Sequence, residues 1–458
     1  MTSLFPNFSS RINDYVVRCN DEPVTVAVHT SGAWSAAIGD RLFRSGNFTR
    51  TVPLSAGRAF TVTTKRRRNA HRDRYHVRCL PNDFPTYSFT RRGPVSPRFF
   101  SVDEGYFFPF SPSPSRRYPI IFDNHGVPIW WYHAEAIGPR VLPNGHILWF
   151  DFAPAKHQIR RLDGTLVSTL DSVGNLENLH DLQFAGRGDY LVGSSVPRSH
   201  VDASAYGGSS DATVKDTELQ QVNPGGGLVW DWKSQDHISL AETGRWWRRL
   251  VNSIAPGRYD ILHWNSIEPA GNSVIASFRH LDAVYKIEKS TGSIVWKLGG
   301  TTTPKSLEVK DNPRSYPLGG QHDARLLSDG TLTLFNDRTF LSNERPRAER
   351  YRINEEKGTA TLVQSITDPA VSSTECCGSA RLLSNGDWLI SWGGYQNNPI
   401  GGYRPDGERT FLLRFDSSSS FSYRAEPVPA TVSARDLRAG MRAMFSHSAR
   451  GSSQSAFG

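Results

Sequence analysis

The sequence contains no uninterrupted apolar stretch long enough to cross a membrane, so it predicts no membrane-spanning helix. Its first residues also lack the basic and apolar segments of a secretory signal peptide, so either a signal has been removed or export uses another route. The GxSxG, HExxH, P-loop and dinucleotide-binding motifs do not appear in the context that each requires. These absences argue against several common classes of hydrolase, nucleotide-binding enzyme and oxidoreductase.

Methionine is scarce, whereas glycine, proline and aromatic residues are plentiful. The chain has 3 Met but 39 Gly, 28 Pro, 12 Trp, 15 Tyr and 24 Phe, a balance typical of many short strands joined by tight turns. The net charge of +9 suits nucleic acid, yet no recognition helix, zinc spacing or aromatic–basic motif accompanies it. We therefore expect no nucleic-acid partner, and a basic rim that attracts a small anionic substrate.

The chain has only 4 cysteines. Cys19 and Cys79 end two similar strand-like segments, and we interpret them as a disulfide, which would indicate an oxidising compartment. Two buried thiols are the alternative. Cys376 and Cys377 are adjacent, and adjacent cysteines bridge only through a strained ring, so we expect free thiols there.

The sequence divides into three parts. Residues 1–100 hold short alternating runs separated by Gly and Ser, which predict a small N-terminal β-sandwich domain. Residues 101–440 carry a repeat, and we assign them to the catalytic domain. Residues 441–458 are predicted to be a disordered tail.

The repeated unit consists of two β-hairpins. Five segments place an apolar strand, an Asn/Asp/Gly turn and a second apolar strand in succession. In three units the second hairpin has a tryptophan four residues after a glycine, and these residues are Trp130, Trp230 and Trp296. Six units can be counted, and four-stranded units of this size stack radially. The predicted fold is therefore all-β, a six-bladed β-propeller preceded by the β-sandwich.

Three histidines occupy the same position of this repeat, eight residues before a turn glycine. The pairs are His180 and Gly188, His263 and Gly271, and His322 and Gly330. Because equivalent positions converge when a repeat closes into a ring, we expect the three imidazoles to meet at one site.

The hairpin register extends this predicted site. A residue eight positions after the turn glycine should face the histidine, which places Arg279 near His263 and Arg338 near His322. Asn265 lies two residues after His263 and shares its side of the strand. The equivalent position of the fifth hairpin is Gly378, a gap that could admit substrate.

Three histidines without a converging carboxylate or cysteine allow two chemistries. They could bind zinc with one open position, or one neutral imidazole could attack an electrophile while other groups hold its oxygens. Arg279 and Asn265 favour the second chemistry, because a guanidinium repels a metal cation but suits a sulfuryl or phosphoryl oxyanion. We accordingly expect neither a metal nor a cofactor. The alternative without chemistry is that these residues only tie blades together around a wet channel.

The motifs resemble those of the arylsulfotransferase (arylsulfate sulfotransferase) family, over roughly residues 101–430. The resemblance rests on the segments LHDLQ, WDWKSQDHI, LHWNSIE…SFRHLDAVYKIEKSTGSIVWKLGG, QHDARLLSDG and CCGSARLLSNGDWLISWGG. Shorter spacing between motifs, and the lack of a clear disulfide loop before the third histidine, place it with a divergent branch. The resemblance implies a six-bladed propeller with a small extra β domain. It also implies sulfuryl transfer from a phenolic sulfate, without PAPS, to a histidine and then to a phenol.

The resemblance also implies a role for each site residue. His322 matches the histidine that carries the sulfuryl group, and His263 and Asn265 match residues that flank this group. Arg279 and His180 match the family's arginine and remaining histidine. Ser379 and Thr374 are candidates for a late threonine contact, so we include Ser379, together with Arg338, as a substrate-binding residue.

The implied partners are a small-molecule aryl sulfate donor and a phenolic acceptor, without nucleic acid or membrane, in a chain that could form a homodimer. The implied location is extracytoplasmic, periplasmic or secreted. From the residues alone, a metal-dependent hydrolase or lyase at the three histidines stays open, as does a non-enzymatic propeller that serves as a binding module.

Overall fold

The structure is a computed structural model that describes residues 3–66, 71–106, 118–253, 255–314, 316–341, 344–394, 399–416 and 420–451. Strands make up 49% of the protein and helices 8%, so the predicted all-β class is confirmed. No helix in the described ranges combines the length and the apolar character needed to cross a bilayer.

The N-terminal region contains two sheets. Its strands are β1 (Asp14–Val17), β2 (Val24–His29), β3 (Trp34–Ile38), β4 (Asn47–Val52), β5 (Ala59–Arg66) and β6 (Arg72–Cys79). One sheet has the order β1-β6-β5-β3 and the other pairs β2 with β4. Parallel pairing of β1 with β6 places Val17 beside Cys79. The predicted Cys19–Cys79 disulfide is confirmed, with 5.6 Å between its Cα atoms.

The remaining strands run from Tyr87 to Pro427. They are β7 (Tyr87–Arg91), β8 (Phe99–Tyr106), β9 (Tyr118–Asp123), β10 (Pro128–Trp131), β11 (Ala136–Val141), β12 (Ile147–Asp151), β13 (Lys156–Arg160), β14 (Leu166–Leu170), β15 (Leu176–Phe184), β16 (Tyr190–Val201), β17 (Ala212–Val222), β18 (Leu228–Lys233), β19 (Arg258–Tyr259), β20 (Trp264–Ala270), β21 (Ser273–Phe278), β22 (Ala283–Glu288), β23 (Ile294–Gly299), β24 (Glu308–Lys310), β25 (His322–Leu326), β26 (Thr331–Asn336), β27 (Arg347–Asn354), β28 (Thr359–Ile366), β29 (Ser379–Leu382), β30 (Trp388–Ser391), β31 (Ile400–Tyr403), β32 (Arg409–Phe415), β33 (Ser420–Phe421) and β34 (Ala425–Pro427). The helices among the described residues are α1 (Trp247–Leu250), α2 (Ala434–Gly451) and four 3-10 helices at Ser204–Tyr206, Ser234–Asp236, Leu240–Trp246 and Arg279–Leu281.

Within the described residues, these strands form six sheets that follow one another along the chain. Four consecutive antiparallel strands form the body of five of them: β11–β14, β15–β18, β20–β23, β25–β28 and β29–β32. The short strands β19 and β24 add to the outer parts of two sheets by parallel pairing with β17 and β28. The remaining sheet pairs β10, β9 and β8.

The two ends of the chain complete two of these sheets. Strand β7 pairs with β32 of the last sheet, and β33 and β34 pair with β8 of the first. The segment 87–91, which the sequence assigns to the N-terminal part, therefore extends the last sheet. Closure by strands from both ends buries sheet edges that would otherwise be open.

Polar side chains join the first strand of each sheet to the first strand of the next. The six bonds are Ser101 Oγ to Pro139 O (2.7 Å), Arg140 Nη2 to Leu182 O (2.8 Å), Ile267 N to Asp181 Oδ2 (3.0 Å), Ala324 N to Ser266 Oγ (3.0 Å), Ala380 N to Asp323 Oδ2 (3.2 Å) and Ala425 N to Ser379 Oγ (2.9 Å). Because β34 pairs with β8, the sixth bond returns to the first sheet. The first strands therefore form a closed cycle.

Helix α2 contradicts part of the prediction that residues 441–458 are disordered. The helix extends to Gly451, so residues 441–451 are helical, while 452–458 lie outside the described residues. The physical reason is burial: Leu437 and Met441 are fully buried in the main core. Gly440 allows helix α2 to pack closely against Leu162, because a Cβ at position 440 would lie 2.5 Å from the Leu162 carbonyl oxygen.

Buried ion pairs hold the centre of the cycle. Asp181 contacts Arg325 at 2.8 Å and Arg424 at 2.9 Å, and Asp323 contacts Arg325 at 3.0 Å and Arg381 at 2.8 Å. Burial raises the pKa of Asp181, but the charges of Arg325 and Arg424 outweigh it and hold this pKa below the usual range. Asp181 is therefore an ionised partner of two buried guanidinium groups.

We expect Asp181→Ala to lower the free energy of unfolding by about 3–5 kcal/mol, because it leaves two buried arginines uncompensated. Urea unfolding at neutral pH measures this, with the exposed Asp211→Ala as control. Since the folded-state pKa of Asp181 is lowered, its contribution is present above its unfolded pKa of about 3.9 and is lost as the pH falls below it. Equal effects of the two substitutions would contradict this assignment.

Candidate active site

A cavity of about 330 Å³ lies where the first strands of the sheets begin. Its lining residues are Asp103, Gly105, Ala136, Ile137, Phe152, Leu179, His180, His263, Arg279, His322, Glu375, Cys376, Cys377, Phe421 and Tyr423. The structure thus brings the three predicted histidines and Arg279 to one cavity. The ring centroids of His180 and His263 are 5.1 Å apart, and the Tyr423 ring lies 5.9 Å from His180 and 6.3 Å from His322.

The three imidazoles share one arrangement of hydrogen bonds. In each, Nδ1 contacts an oxygen acceptor: Asn178 Oδ1 for His180, Asp260 Oδ2 at 2.8 Å for His263, and Asp337 Oδ2 at 2.8 Å for His322. An Nδ1 that donates its hydrogen leaves the lone pair of a neutral imidazole on Nε2. All three rings therefore offer Nε2 as the nitrogen available for chemistry.

His322 has the best-defined tautomer of the three. Its Nδ1 also lies 3.0 Å from the Gly320 carbonyl oxygen, which can only accept a hydrogen bond. On the other side of the ring, the Cys377 peptide N–H donates to Nε2 at 3.3 Å. The contact with Gly320 requires a hydrogen on Nδ1, and the contact with Cys377 requires a lone pair on Nε2.

Burial keeps these histidines neutral. Burial lowers the pKa of His180, His263 and His322 below the ordinary value, and neighbouring positive charges lower that of His322 further. Asp260 opposes the effect at His263, since its carboxylate raises the pKa of that ring. The Asp260 carboxylate is therefore suited to stabilise a proton added to His263.

Arg279 is held by three neighbours in an orientation that faces the cavity. Its guanidinium lies over the Trp246 ring at 4.6 Å, and Nη1 donates to His280 Nε2 at 2.7 Å. Nη2 donates to the carbonyl oxygen of Glu375. Its backbone N–H donates to His263 O at 3.0 Å, as the predicted register requires. His280 therefore positions this arginine.

Asn265 lies behind the cavity rather than on its wall. It is fully buried, and its Nδ2 donates to the carbonyl oxygen of Gln321, the residue before His322, at 2.8 Å. Its Oδ1 has no hydrogen-bond partner among the described residues. The observed contact is one that positions the His322 strand.

Two residues predicted to bind substrate do not line the cavity. Arg338 donates to the carbonyl oxygen of Tyr316 at 2.6 Å and pairs with Glu344 at 2.6 Å. Strand β26 ends at Asn336 and Arg338 has a φ of 57°, so strand alternation no longer sets its direction. Ser379 is used in the cycle of sheets, where its Oγ accepts from Ala425 N.

The remaining candidates in this region are also structural. Thr374 Oγ1 donates to the carbonyl oxygens of Cys376 at 3.0 Å and Gly394 at 3.1 Å. Gly378 is not a gap for substrate, because a Cβ there would lie 2.5 Å from the Phe335 ring. The Phe335 ring occupies the space beside Gly378 in which we expected substrate.

Cys376 and Cys377 are bonded to each other, so the prediction of free thiols is wrong. Close packing opposes rearrangement of this turn: the Cys376 carbonyl oxygen accepts from Gly394 N at 2.9 Å.

The site also includes Asp260, Asp337 and Tyr423, to which no sequence motif pointed. Asp260 lies three residues before His263 and Asp337 lies beyond the end of β26, so hairpin register pointed to neither.

One group of ligand-type atoms in the described residues could hold a metal ion. It comprises Asp260, His263 and His280, whose ligand atoms lie within 4.8 Å of one another. The fit is poor, because Asp260 Oδ2 already accepts from Lys215 Nζ at 2.7 Å and Arg279 donates to His280 Nε2. A cation there would face two fixed positive charges.

The family is shown by a comparison of sequences. The profile of the family described as Arylsulfotransferase (ASST) matches residues 91–422, and the chain belongs to this family. The suspected resemblance is therefore confirmed, and family membership indicates a transferase that acts on aryl sulfates. No curated protein matches the chain.

Solved structures similar to this chain have low sequence identity. TolB from Acinetobacter baumannii is 11% identical, covers 81% of this chain and 80% of its own, and has a TM-score of 0.42. A catalytically inactive virginiamycin B lyase from Staphylococcus aureus with quinupristin is 10% identical, with coverages of 71% and 88% and a TM-score of 0.35. A quinonprotein alcohol dehydrogenase-like protein from Bacteroides thetaiotaomicron is 9% identical, with coverages of 93% and 98% and a TM-score of 0.35.

We expect Asp337→Asn to lower kcat about 100-fold with little change in KM. The amide can still accept from His322 Nδ1, but it cannot take up a proton or balance positive charge on the ring. Steady-state kinetics with an aryl sulfate measure this. Asp329→Asn, an exposed change on the same hairpin, is the control and should match the wild type; a wild-type kcat for Asp337→Asn would contradict the assignment.

We expect kcat/KM to stay constant as the pH falls through about 6.5, the ordinary histidine pKa, and to decline only at more acidic pH. The reason is that burial lowers the pKa of all three cavity histidines, so they stay neutral in mildly acidic solution. A pH–rate profile tests this. If kcat/KM instead falls to half its maximum near pH 6.5, at about the ordinary histidine pKa, these rings titrate normally and the expectation is contradicted.

Proposed function

We propose that the chain transfers a sulfuryl group from an aryl sulfate ester to a phenol through a sulfated His322, without PAPS, a metal or a cofactor. One observation carries this proposal: His322, whose Nδ1 contacts leave a lone pair on Nε2, lines the same cavity as the guanidinium of Arg279. Family membership supports the substrate class. A neutral imidazole is a nucleophile, and a fixed guanidinium suits the charge on sulfuryl oxygens.

In the first half-reaction, His322 Nε2 attacks the sulfur of the ester. A nitrogen–sulfur bond forms, the sulfur–oxygen bond to the aryl group breaks, and the phenolate leaves with the bonding electron pair. The ring becomes positive, and its Nδ1 proton can move to Asp337. Burial raises the pKa of Asp337, opposed by the charge of Arg279, which makes this carboxylate a better proton acceptor than an exposed one.

In the second half-reaction, the oxygen of the acceptor phenol attacks the same sulfur. An oxygen–sulfur bond forms and the electron pair of the nitrogen–sulfur bond returns to Nε2. The phenol proton passes to His263 Nε2, where Asp260 stabilises the resulting positive charge. By reversibility, a His263 that has taken up this proton can give it to the phenolate that departs in the next turnover, while the Arg279 guanidinium contacts the sulfuryl oxygens.

The shape of the cavity suits an aryl group. Its walls include the apolar residues Ile137, Phe152, Leu179 and Phe421, and its volume lies at the lower end of small-molecule sites, roughly 300–1,000 Å³. An aromatic ring can pack against these residues while the sulfate faces Arg279. Donor and acceptor would occupy the same space in turn, as in a ping-pong reaction.

We further propose that the six sheets are the blades of a β-propeller formed by residues 101–440 together with β7 and the start of β8, and that the other residues of the segment 1–100 form mainly a β-sandwich domain. The closed cycle of first strands supports the propeller. We also propose an extracytoplasmic location, because the Cys19–Cys79 disulfide suits an oxidising compartment.

The central test is a burst experiment with 4-nitrophenyl sulfate in the absence of acceptor. We expect the wild type to release about one nitrophenolate per chain and to carry a sulfated histidine by mass spectrometry, because the acceptor is needed only for the second half-reaction. His322→Ala should abolish both signals. His200→Ala, which changes a histidine with a largely exposed side chain, should leave both unchanged.

Nitrophenolate release that is unaffected by His322→Ala would remove this residue from its role. Activity that depends on a stoichiometric metal and is lost with a chelator would favour the metal-dependent alternative. A protein that releases no nitrophenolate and carries no sulfated histidine would favour the binding module.

A further inference from the structure

The bonded pair Cys376–Cys377 forms part of the cavity wall beside His322. Both residues are more than nine-tenths buried. Cys377 has a φ of 74°, in the left-handed region that non-glycine residues rarely adopt. Such conformations persist only where the surroundings enforce them, and they are concentrated at functional sites.

The backbone of this turn contacts two of the proposed catalytic groups. The Glu375 carbonyl oxygen accepts from Arg279 Nη2, and the Cys377 N–H donates to His322 Nε2. Only one residue, Cys376, lies between Glu375 and Cys377. The position of the turn therefore sets the positions of Arg279 and His322 relative to each other.

We propose that the bonded Cys376–Cys377 turn is a positioning element that holds the Cys377 N–H to bind a sulfuryl oxygen on His322. The inference rests on the proposed function. In the resting enzyme this N–H donates to the lone pair of Nε2. When that lone pair forms the bond to sulfur, the N–H needs another acceptor, and the sulfuryl oxygens are attached to the atom newly bonded to Nε2.

A donor fixed in this way acts in the transition state more than in the bound substrate. The preorganised Cys377 N–H stabilises the negative charge on one sulfuryl oxygen, and the Arg279 guanidinium stabilises the charge as well. Interactions that strengthen only in the transition state raise kcat and leave KM nearly unchanged. The turn supplies the first donor directly, as the Cys377 N–H. It positions the second donor, the Arg279 guanidinium, through the Glu375 carbonyl oxygen.

Breaking the pair should release the Cys377 peptide without unfolding its surroundings. Reduction by a dithiol adds two electrons and two protons, gives two thiols, and converts the dithiol into a cyclic disulfide. Thr374 and Gly394 still hold the Cys376 carbonyl oxygen after reduction. The Cys376 carbonyl oxygen and the Cys377 N–H lie in one peptide plane, so after reduction these bonds hold only the oxygen edge of that plane. Cys377 is then free to leave its left-handed conformation, and the plane can rotate about the held oxygen, which moves the N–H away from His322.

The test compares two matched variants in the burst experiment with 4-nitrophenyl sulfate, before and after treatment with dithiothreitol. Cys376→Ala/Cys377→Ala removes the turn's bond, and Cys19→Ala/Cys79→Ala removes the distant disulfide. We expect the burst rate constant of the first variant to be about 100-fold below wild type with or without reductant, and KM to change little. The second variant should match the wild type before treatment and lose the same factor after it. Re-oxidation should restore the rate of the reduced wild type.

The outcomes separate the two proposals. A wild type without a burst overturns the proposed function. A wild-type burst that neither reduction nor Cys376→Ala/Cys377→Ala slows overturns the inference and leaves the proposed function standing. If Cys376→Ala/Cys377→Ala fails to fold, reversible slowing of Cys19→Ala/Cys79→Ala by reduction and re-oxidation decides, because the turn then holds the two remaining cysteines of the chain. Slowing that appears in KM rather than kcat contradicts a transition-state role.

Discussion

Two carboxylates at the centre of the ring of sheets, Asp181 and Asp323, are the constraint on which the rest of the structure depends. Each accepts a backbone hydrogen bond from the next sheet and pairs with arginines from other sheets. Burying a charge is costly unless it is paired, so these residues fix the relative positions of several first strands at once. The apolar side chains between the sheets account for most of the buried core, but they do not fix the distances between first strands in this way.

The candidate site depends on this arrangement because His180 and His322 directly precede the two carboxylates in the chain. The ion pairs that fix Asp181 and Asp323 therefore also fix the backbone of the neighbouring histidine. Local backbone departures refine the result: His263, Asp323 and Cys377 all have positive φ values. Oxygen acceptors on Nδ1 leave the lone pair of each neutral ring on Nε2, which at His322 accepts from the Cys377 N–H, and the Arg279 guanidinium lines the same cavity.

Much of this could be predicted because it follows from short-range pattern. Hairpin register placed His263 and Arg279 together, and the shared offset of the histidines from turn glycines predicted that they meet. The same register failed for Arg338, because β26 ends before it and its backbone turns. It failed in another way at Gly378, where Phe335 fills the space, and it could not indicate Asp337, which reaches His322 from beyond a strand end.

The sequence alone determined the all-β class, the family and the convergence of three imidazoles with one arginine, because strand periodicity and turn chemistry are local properties. The tertiary structure decided the hydrogen-bond partner of each imidazole, the bond between Cys376 and Cys377 and the contact of Cys377 with His322. These features depend on which loop packs against which strand and on residues with left-handed backbone. Both are set only when distant segments are buried together, and no spacing in the chain encodes them.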